Sequence, residues 1–272
     1  MQKQRQLGKR IRMRCLPSFF VGSIMVMNLL GSVGSMMLLP PGRVAAQAVR
    51  QRHNNGITNA VLYDETHHHY YTYNTPGQFI AASSIKVPIM LTFLDMIERQ
   101  GRKPASHEMR LLTTMIENSN NASASVFYNK IGGASGTARF LRKIGVTGLQ
   151  PNPKAWGYSL VTPLAMVNLL TRLYEGHILT EHDRQLALSL MEHVQANQRA
   201  GVGDTAPRGA RVALKDGWVP GPDGLWAVNS SGIVVAGRET YILSVYTKEE
   251  PSLEAGRNAV RQICRTMISR LP

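Results

Sequence analysis

Ala81-Ala82-Ser83-Ser84-Ile85-Lys86-Val87-Pro88 is the stretch on which the reading of this chain turns. It carries an apolar segment into a helix and holds Ser83 and Lys86 three residues apart. Residues i and i+3 on a helix are side-chain neighbours, so this spacing sets a hydroxyl beside an amine. A serine hydroxyl is inert until a base takes its proton, and a neutral lysine can be that base. The alternative is an N-cap serine followed by a solvated lysine. Residue frequencies alone give about one such pair in a chain of this length, so the rest of the sequence has to decide.

Val87, Met90, Leu94 and Ile97 form one apolar helical stripe ending near Gly101. Pro88 falls in the first turn, where its missing N–H has no intrahelical partner in any case. Upstream, residues 59–63 and 70–73 read as short strands joined by a turn over 64–69. Residues 106–197 are helical in pattern, with breaks at Gly132-Gly133, over 145–157 and at Glu175-Gly176. The texture changes near Val202. Residues 211–214, 226–229, 232–236 and 241–246 are short, rich in β-branched and aromatic residues, and punctuated by glycine. An amphipathic helix over 251–271 follows, and there is no internal repeat. Strand hydrogen bonds must be closed, so the early pair is expected to join the late strands. The fold class is therefore α+β: an antiparallel sheet flanked by helices, plus an inserted helical lobe. Its sheet layer comprises about 48–82 and 209–272, and its lobe about 83–208. The Ser83–Lys86 helix lies at their junction, where pockets prefer to form.

The chain has 272 residues and a net charge of +14. Seven of its bases precede residue 47 and no acid does, so the remainder is only moderately basic. There is no arginine-rich helix and no interleaving of bases with aromatics, and no nucleic-acid partner is expected. Residues 1–47 read as a signal peptide or signal anchor: six bases, an apolar run from Leu16 to Leu39, then Ala46-Gln47-Ala48 as an A-x-A cleavage site. The run is also long enough to cross a bilayer uncleaved. Either way residues 48–272 are expected outside, secreted or on the outer face of the cytoplasmic membrane. Cys15 lies in the leader, which leaves Cys264 as the one thiol of the exported part, with no internal disulfide.

Two further clusters supply what acyl transfer needs. Ser119-Asn120-Asn121 places a second hydroxyl and an amide at a helix–loop break; an ordinary polar cap is the bland alternative. Lys215-Asp216-Gly217-Trp218 ends a strand pattern with a lysine and a glycine that permits close backbone approach; a solvated edge lysine is the alternative there. In this order the three clusters resemble the Ser-x-x-Lys, Ser-Asp-Asn and Lys-Thr-Gly elements of class A β-lactamases and penicillin-binding proteins. Met115-Ile116 and Thr162-Pro163-Leu164-Ala165-Met166 also match their flanking text. The resemblance spans about residues 59–271. It implies a β-lactamase/transpeptidase-like fold, a serine hydrolase acting through an acyl-serine intermediate, and no cofactor. The implied substrate is a small β-lactam or a peptidoglycan-type peptide, and the implied state a monomer.

The same resemblance implies the roles. Ser83 is the nucleophile and Lys86 its base, which requires an amine pKa far below the free value. Ser119 passes a proton to the leaving nitrogen. Asn121 orients Lys86 and the substrate amide. Lys215 steers an anionic substrate. Backbone N–H groups of Ser83 and Trp218 form the oxyanion hole, with Gly217 beside them.

Three departures bear on turnover. Residues 118–174 contain no Asp or Glu, so the Ω-loop glutamate that activates water in these β-lactamases is missing. Asp216 stands where the family has a hydroxyl, and an ionised aspartate would repel a substrate carboxylate. Ser230 and Ser231 occupy the strand where many class A enzymes carry a carboxylate-binding arginine; Arg199, Arg208 and Arg211 are the candidate substitutes, Arg199 first among them. The resulting expectation is an acyl-enzyme that forms but deacylates slowly. A D-alanyl peptidase or esterase, or a membrane-tethered ligand-binding domain without turnover, are the alternatives. No Gly-x-Ser-x-Gly elbow supports a Ser-His-Asp hydrolase. His67-His68-His69 is read as a hairpin-turn tract lacking a carboxylate or thiolate partner, so no metal is expected.

Overall fold

The computed structural model describes residues 56–74, 77–221 and 223–272. The leader expected over 1–47 lies outside them. Among the described residues, no helix is long and apolar enough to cross a membrane. The strands are β1 (Ile57–Asp64), β2 (His69–Tyr73), β3 (Phe79–Ile80), β4 (Leu149–Gln150), β5 (Leu160–Val161), β6 (Arg211–Pro220), β7 (Trp226–Ala236) and β8 (Glu239–Glu250). The helices are α1 (Lys86–Glu98), α2 (Ser106–Ile116), α3 (Asn121–Lys130), α4 (Gly133–Lys143), α5 (Pro163–Tyr174), α6 (Glu181–Glu192), α7 (Val202–Thr205) and α8 (Leu253–Ile268).

The main sheet is antiparallel in the order β2-β1-β8-β7-β6, so the early hairpin does join the late strands through β1 and β8. Leu62 opposes Leu243 and Ala60 opposes Val245. Tyr241 to Thr247 are all buried, so both faces of β8 are covered. α8 packs against β7, β8 and β1, and α5 against the same three strands. A strand buried on both faces reads as a continuous apolar run, which explains why alternation is weak here. A second small sheet, β3-β5-β4, ties the segment before Ser83 to the loop over 150–159.

α1 is the central helix. The sequence suggests one apolar stripe, but Ile89, Leu91 and Phe93 are as buried as Val87, Met90, Leu94 and Ile97. A helix that is apolar all round is a core helix, and the single-stripe reading was too narrow. A tight turn over Ala82–Ile85 runs directly into α1, with no side-chain cap. Ser84, the residue a cap would use, instead donates to the Ala81 carbonyl at 2.7 Å and meets the Tyr246 hydroxyl at 2.8 Å. That frees Ser83 from any capping duty.

The lobe is pinned at Glu108. Its carboxylate accepts from the Ala105 N–H at 2.8 Å, from Arg102 at 2.7 Å, and from Lys130 of α3. Burial opposes the charge, but hydrogen bonds from Arg102 and Lys130 outweigh it and hold the Glu108 carboxyl down to about 2. A pKa lowered on folding stabilises the fold above the ordinary carboxylate value and loses that contribution as pH falls toward the folded value. Glu108→Gln should therefore cost about 1–3 kcal/mol near neutrality. Urea unfolding should show the difference from the parent chain shrinking between pH 4.5 and pH 2.

Candidate active site

The turn carrying Ser83 is held by the carbonyl of Ala81, which accepts from Ser84 N–H, Ser84 Oγ and Asn229 Nδ2. Ala81 N–H donates to Ser159 O, so the Ω-loop side of the cleft is fixed to the same residue. Ala82 has φ of 47°, a left-handed conformation that a side-chain-bearing residue adopts at a cost of about 1–3 kcal/mol. Ser119 sits at φ of 55°, and Asn120 explains why: its side chain accepts from Ser123 N–H at 2.9 Å and caps α3. The cap directs Asn121 into the first turn of α3 and leaves Ser119 on the sharp bend before it.

These elements converge on one amine. Lys86 Nζ lies 3.0 Å from Ser83 Oγ, 2.9 Å from Ser119 Oγ, 2.6 Å from Ser119 O and 2.8 Å from Asn121 Oδ1. An ammonium has three protons for these four oxygens; the neutral amine has two and a lone pair. Lys86 is fully buried, and burial, reinforced by the positive charge of Lys215, pulls its pKa down to about 7. Near neutrality a large fraction of this lysine is a free base within reach of two hydroxyls.

Lys215, also fully buried, donates to Asp216 O at 3.1 Å. Burial lowers its pKa while Asp216 pulls it back. Gly217 is required by close approach: a Cβ there would lie 2.7 Å from Ser83 N and 2.9 Å from Ala81 O. The glycine brings β6 against the Ser83 turn, a tighter and more local duty than approach to a ligand.

A cleft of about 500 Å³ opens over this group, lined by Ser83, Asn121, Ser125, Tyr128, Trp156 and Trp218 among others. Trp156, in the loop where a glutamate is missing, donates to Ser125 Oγ at 3.1 Å. Its ring centroid is 5.2 Å from Lys86 Nζ. The indole thus occupies the side of Lys86 that faces the loop.

Two expectations need correction. Asp216 is not brought to the cleft. It is 1% exposed, and burial pushes its pKa up, with Asp204 of α7 adding to the effect. The Ser230 hydroxyl and the Ala200 backbone lie beside the carboxyl and partly offset that push. A carboxyl buried behind the strand and facing Lys215 is not presented to the cleft, so direct repulsion of an anionic substrate by Asp216 does not follow. Arg199 is not brought there either: its guanidinium donates to the carbonyls of Glu192, Val194 and Val212. The sequence reading missed Arg257 of α8, whose guanidinium lies 4.9 Å from the centroid of Trp218. Its Nε is buried with no hydrogen-bond partner among the described residues. Nothing in local sequence marks Arg257; only the packing of α8 on the sheet delivers it.

The model of the beta-lactamase enzyme family matches residues 107–271, more than half of the chain. The chain belongs to that family. The matched part contains Ser119, Asn121 and Lys215, and the fold brings Ser83 and Lys86 to them. Solved structures agree on the architecture. The chromosome-encoded β-lactamase of Vibrio parahaemolyticus is 19% identical over 79% of this chain and 93% of its own, with a TM-score of 0.70. The TLA-1 extended-spectrum β-lactamase is 18% identical over 78% and 92%, with a TM-score of 0.71. PBP-A is 18% identical over 81% and 92%, with a TM-score of 0.68. No curated protein sequence matches significantly. As a member of the family the chain is a serine hydrolase of β-lactamase type.

Gly217→Ala tests the close approach. It should cost about 1–3 kcal/mol, because backbone atoms rather than a flexible side chain must yield. Denaturant unfolding would show the loss. A variant as stable as the parent would mean that β6 is free to move.

Proposed function

We propose that the chain opens a strained or activated amide of the β-lactam type and retains the acyl group on Ser83. The observation that carries this reading is Lys86 Nζ, 3.0 Å from Ser83 Oγ and 2.9 Å from Ser119 Oγ, with its amine held near neutrality. Ser83 Oγ attacks the carbonyl carbon and its proton passes to Lys86 Nζ. The tetrahedral oxyanion forms next to the N–H groups of Ser83 and Trp218, on the edge strand β6. Collapse breaks the C–N bond, and Ser119 relays a proton from Lys86 to the departing nitrogen. Asn121 orients the amide of the acyl side chain.

Deacylation is the slow step in this reading. No acid lies in residues 118–174 to activate water, and the Trp156 indole covers the loop side of Lys86. Loss of a general base typically removes about 10²–10⁴-fold in rate. Arg257, on the face of Trp218, meets the substrate carboxylate in place of Arg199. The export of this domain, as secreted or tethered enzyme, rests on the composition of residues 1–47.

Intact-mass analysis after incubation with benzylpenicillin should show a long-lived adduct of one penicillin, absent in Ser83→Ala. Hydrolysis of a chromogenic cephalosporin should be slow. Fast hydrolysis without an adduct would remove the slow-release reading; neither adduct nor hydrolysis would direct attention to D-alanyl peptides or esters. The acylation rate should rise with pH through about 7 and then level, because only the neutral Lys86 amine accepts the Ser83 proton. Arg257→Ala should raise the penicillin concentration needed for half-maximal labelling by about tenfold, the scale of one lost charge-assisted contact, while the limiting rate changes little.

A further inference from the structure

The histidine tract His67-His68-His69 is a motif that the acylation site does not absorb. It lies at the turn between β1 and β2, as its position suggests, but the expectation that it lacks carboxylate partners fails. His67 Nδ1 is 2.9 Å from Asp64 Oδ2 and 3.9 Å from Glu239 Oε2. One nitrogen and two oxygens from these side chains all lie within 4.8 Å of one another. Asp64 reaches back because the turn folds His67 over it: its Oδ1 accepts the His67 N–H at 3.0 Å. Glu239 arrives from the far end of the chain as the first residue of β8.

Burial and backbone placement separate this cluster from an ordinary surface ion pair. Asp64 is 1% exposed, and no lysine or arginine pairs with it among the described residues; His67 is its sole ion-pair partner there. Buried carboxylates are normally paired with a permanent cation or coordinate a metal. Two of the three ligand backbones, Asp64 of β1 and Glu239 of β8, are fixed by the sheet, Asp64 standing opposite both His69 and Tyr241, while His67 is set by the turn. The other side of the cluster is open, with His67 and Glu239 about half exposed, so water can complete a coordination shell.

The donor set indicates which ion. One imidazole and two carboxylates suit zinc and its neighbours, whereas magnesium and calcium prefer oxygen alone. Ligand atoms at about 2.0–2.2 Å from one zinc ion stand roughly 3.0–3.5 Å apart. The Asp64–His67 separation of 2.9 Å is already near that, and the half-exposed Glu239 side chain, 3.9 Å from His67, has to swing in. We propose that Asp64, His67 and Glu239 form a site for a divalent transition-metal ion, zinc in the first instance, which fastens the β1–β2 turn to the start of β8. Along the sheet, Asp64 on β1 is three strands from β6 and Glu239 on β8 is two.

The test is titration of the full-length chain, in mild detergent, with Co²⁺ followed by visible absorption and with Zn²⁺ by competition. One ion per chain is expected, with micromolar affinity, reversed by EDTA. Saturating zinc should raise the thermal midpoint by a few degrees, as binding to the folded state alone requires. His67→Gln and Glu239→Gln, both at half-exposed positions, should each weaken binding about tenfold or more. His68→Gln and His69→Gln should leave it unchanged. Absence of stoichiometric binding would overturn the site, as would parent-like affinity in His67→Gln and Glu239→Gln. Equal losses in His68→Gln and His69→Gln would show a loose histidine tract instead, which also overturns it.

Discussion

A buried amine is the constraint around which this structure is arranged. Removing the Lys86 ammonium from water costs several kcal/mol unless hydrogen bonds replace hydration. Ser83, Ser119 and Asn121 supply them, and two of these three are available only because Ala82 and Ser119 accept left-handed backbone. The strain at both bends is held by neighbours with other partners: Ala81 through its carbonyl, Asn120 through its cap on α3. The penalty left on the charged form is what lowers the amine's pKa. The chemistry is thus a direct product of incomplete compensation.

That arrangement makes the electrostatics of the cleft hierarchical. Lys215 acts on Lys86 without a hydrogen bond to it, through field alone. Asp216 in turn acts on Lys215 from within the protein, in a buried setting that Asp204 of α7 and Cys264 of α8 share. A residue that looks in sequence like a substrate contact therefore belongs to the support of a neighbouring lysine. The indole of Trp156 completes the enclosure on the loop side, so low water access and low amine pKa share a structural origin.

Much of this was legible in the sequence. The turn at Ser83, the break between Ser119 and Asn121, and the strand at Lys215 are each short-range patterns, governed by residues within a few positions. The antiparallel pairing of early with late strands followed from the need to close strand hydrogen bonds. What stayed hidden depends on direction or distance. Alternation along a strand cannot say which face is the cleft, so Asp216 was assigned to the wrong side. No local pattern distinguishes Arg199 from other arginines as a carboxylate contact, and Arg257 arrives through helix packing. Glu239 reaches His67 because the β1–β2 and β7–β8 turns lie at the same end of neighbouring strands, a fact about topology that no local window contains.

The pairing of β1 with β8 has a consequence for how the molecule comes into being. Ser83 and Lys86 sit in the first half of the chain, yet the strand pressed against their turn, at Gly217, comes late, and β6 is held by β7, which in turn pairs with β8. Contacts so distant along the chain form slowly, because loop closure must precede the reward. A growing chain therefore carries the serine and lysine without the strand that confines them. Reactivity is conferred at the end of folding, when the C-terminal strands dock, and an incomplete chain is chemically silent.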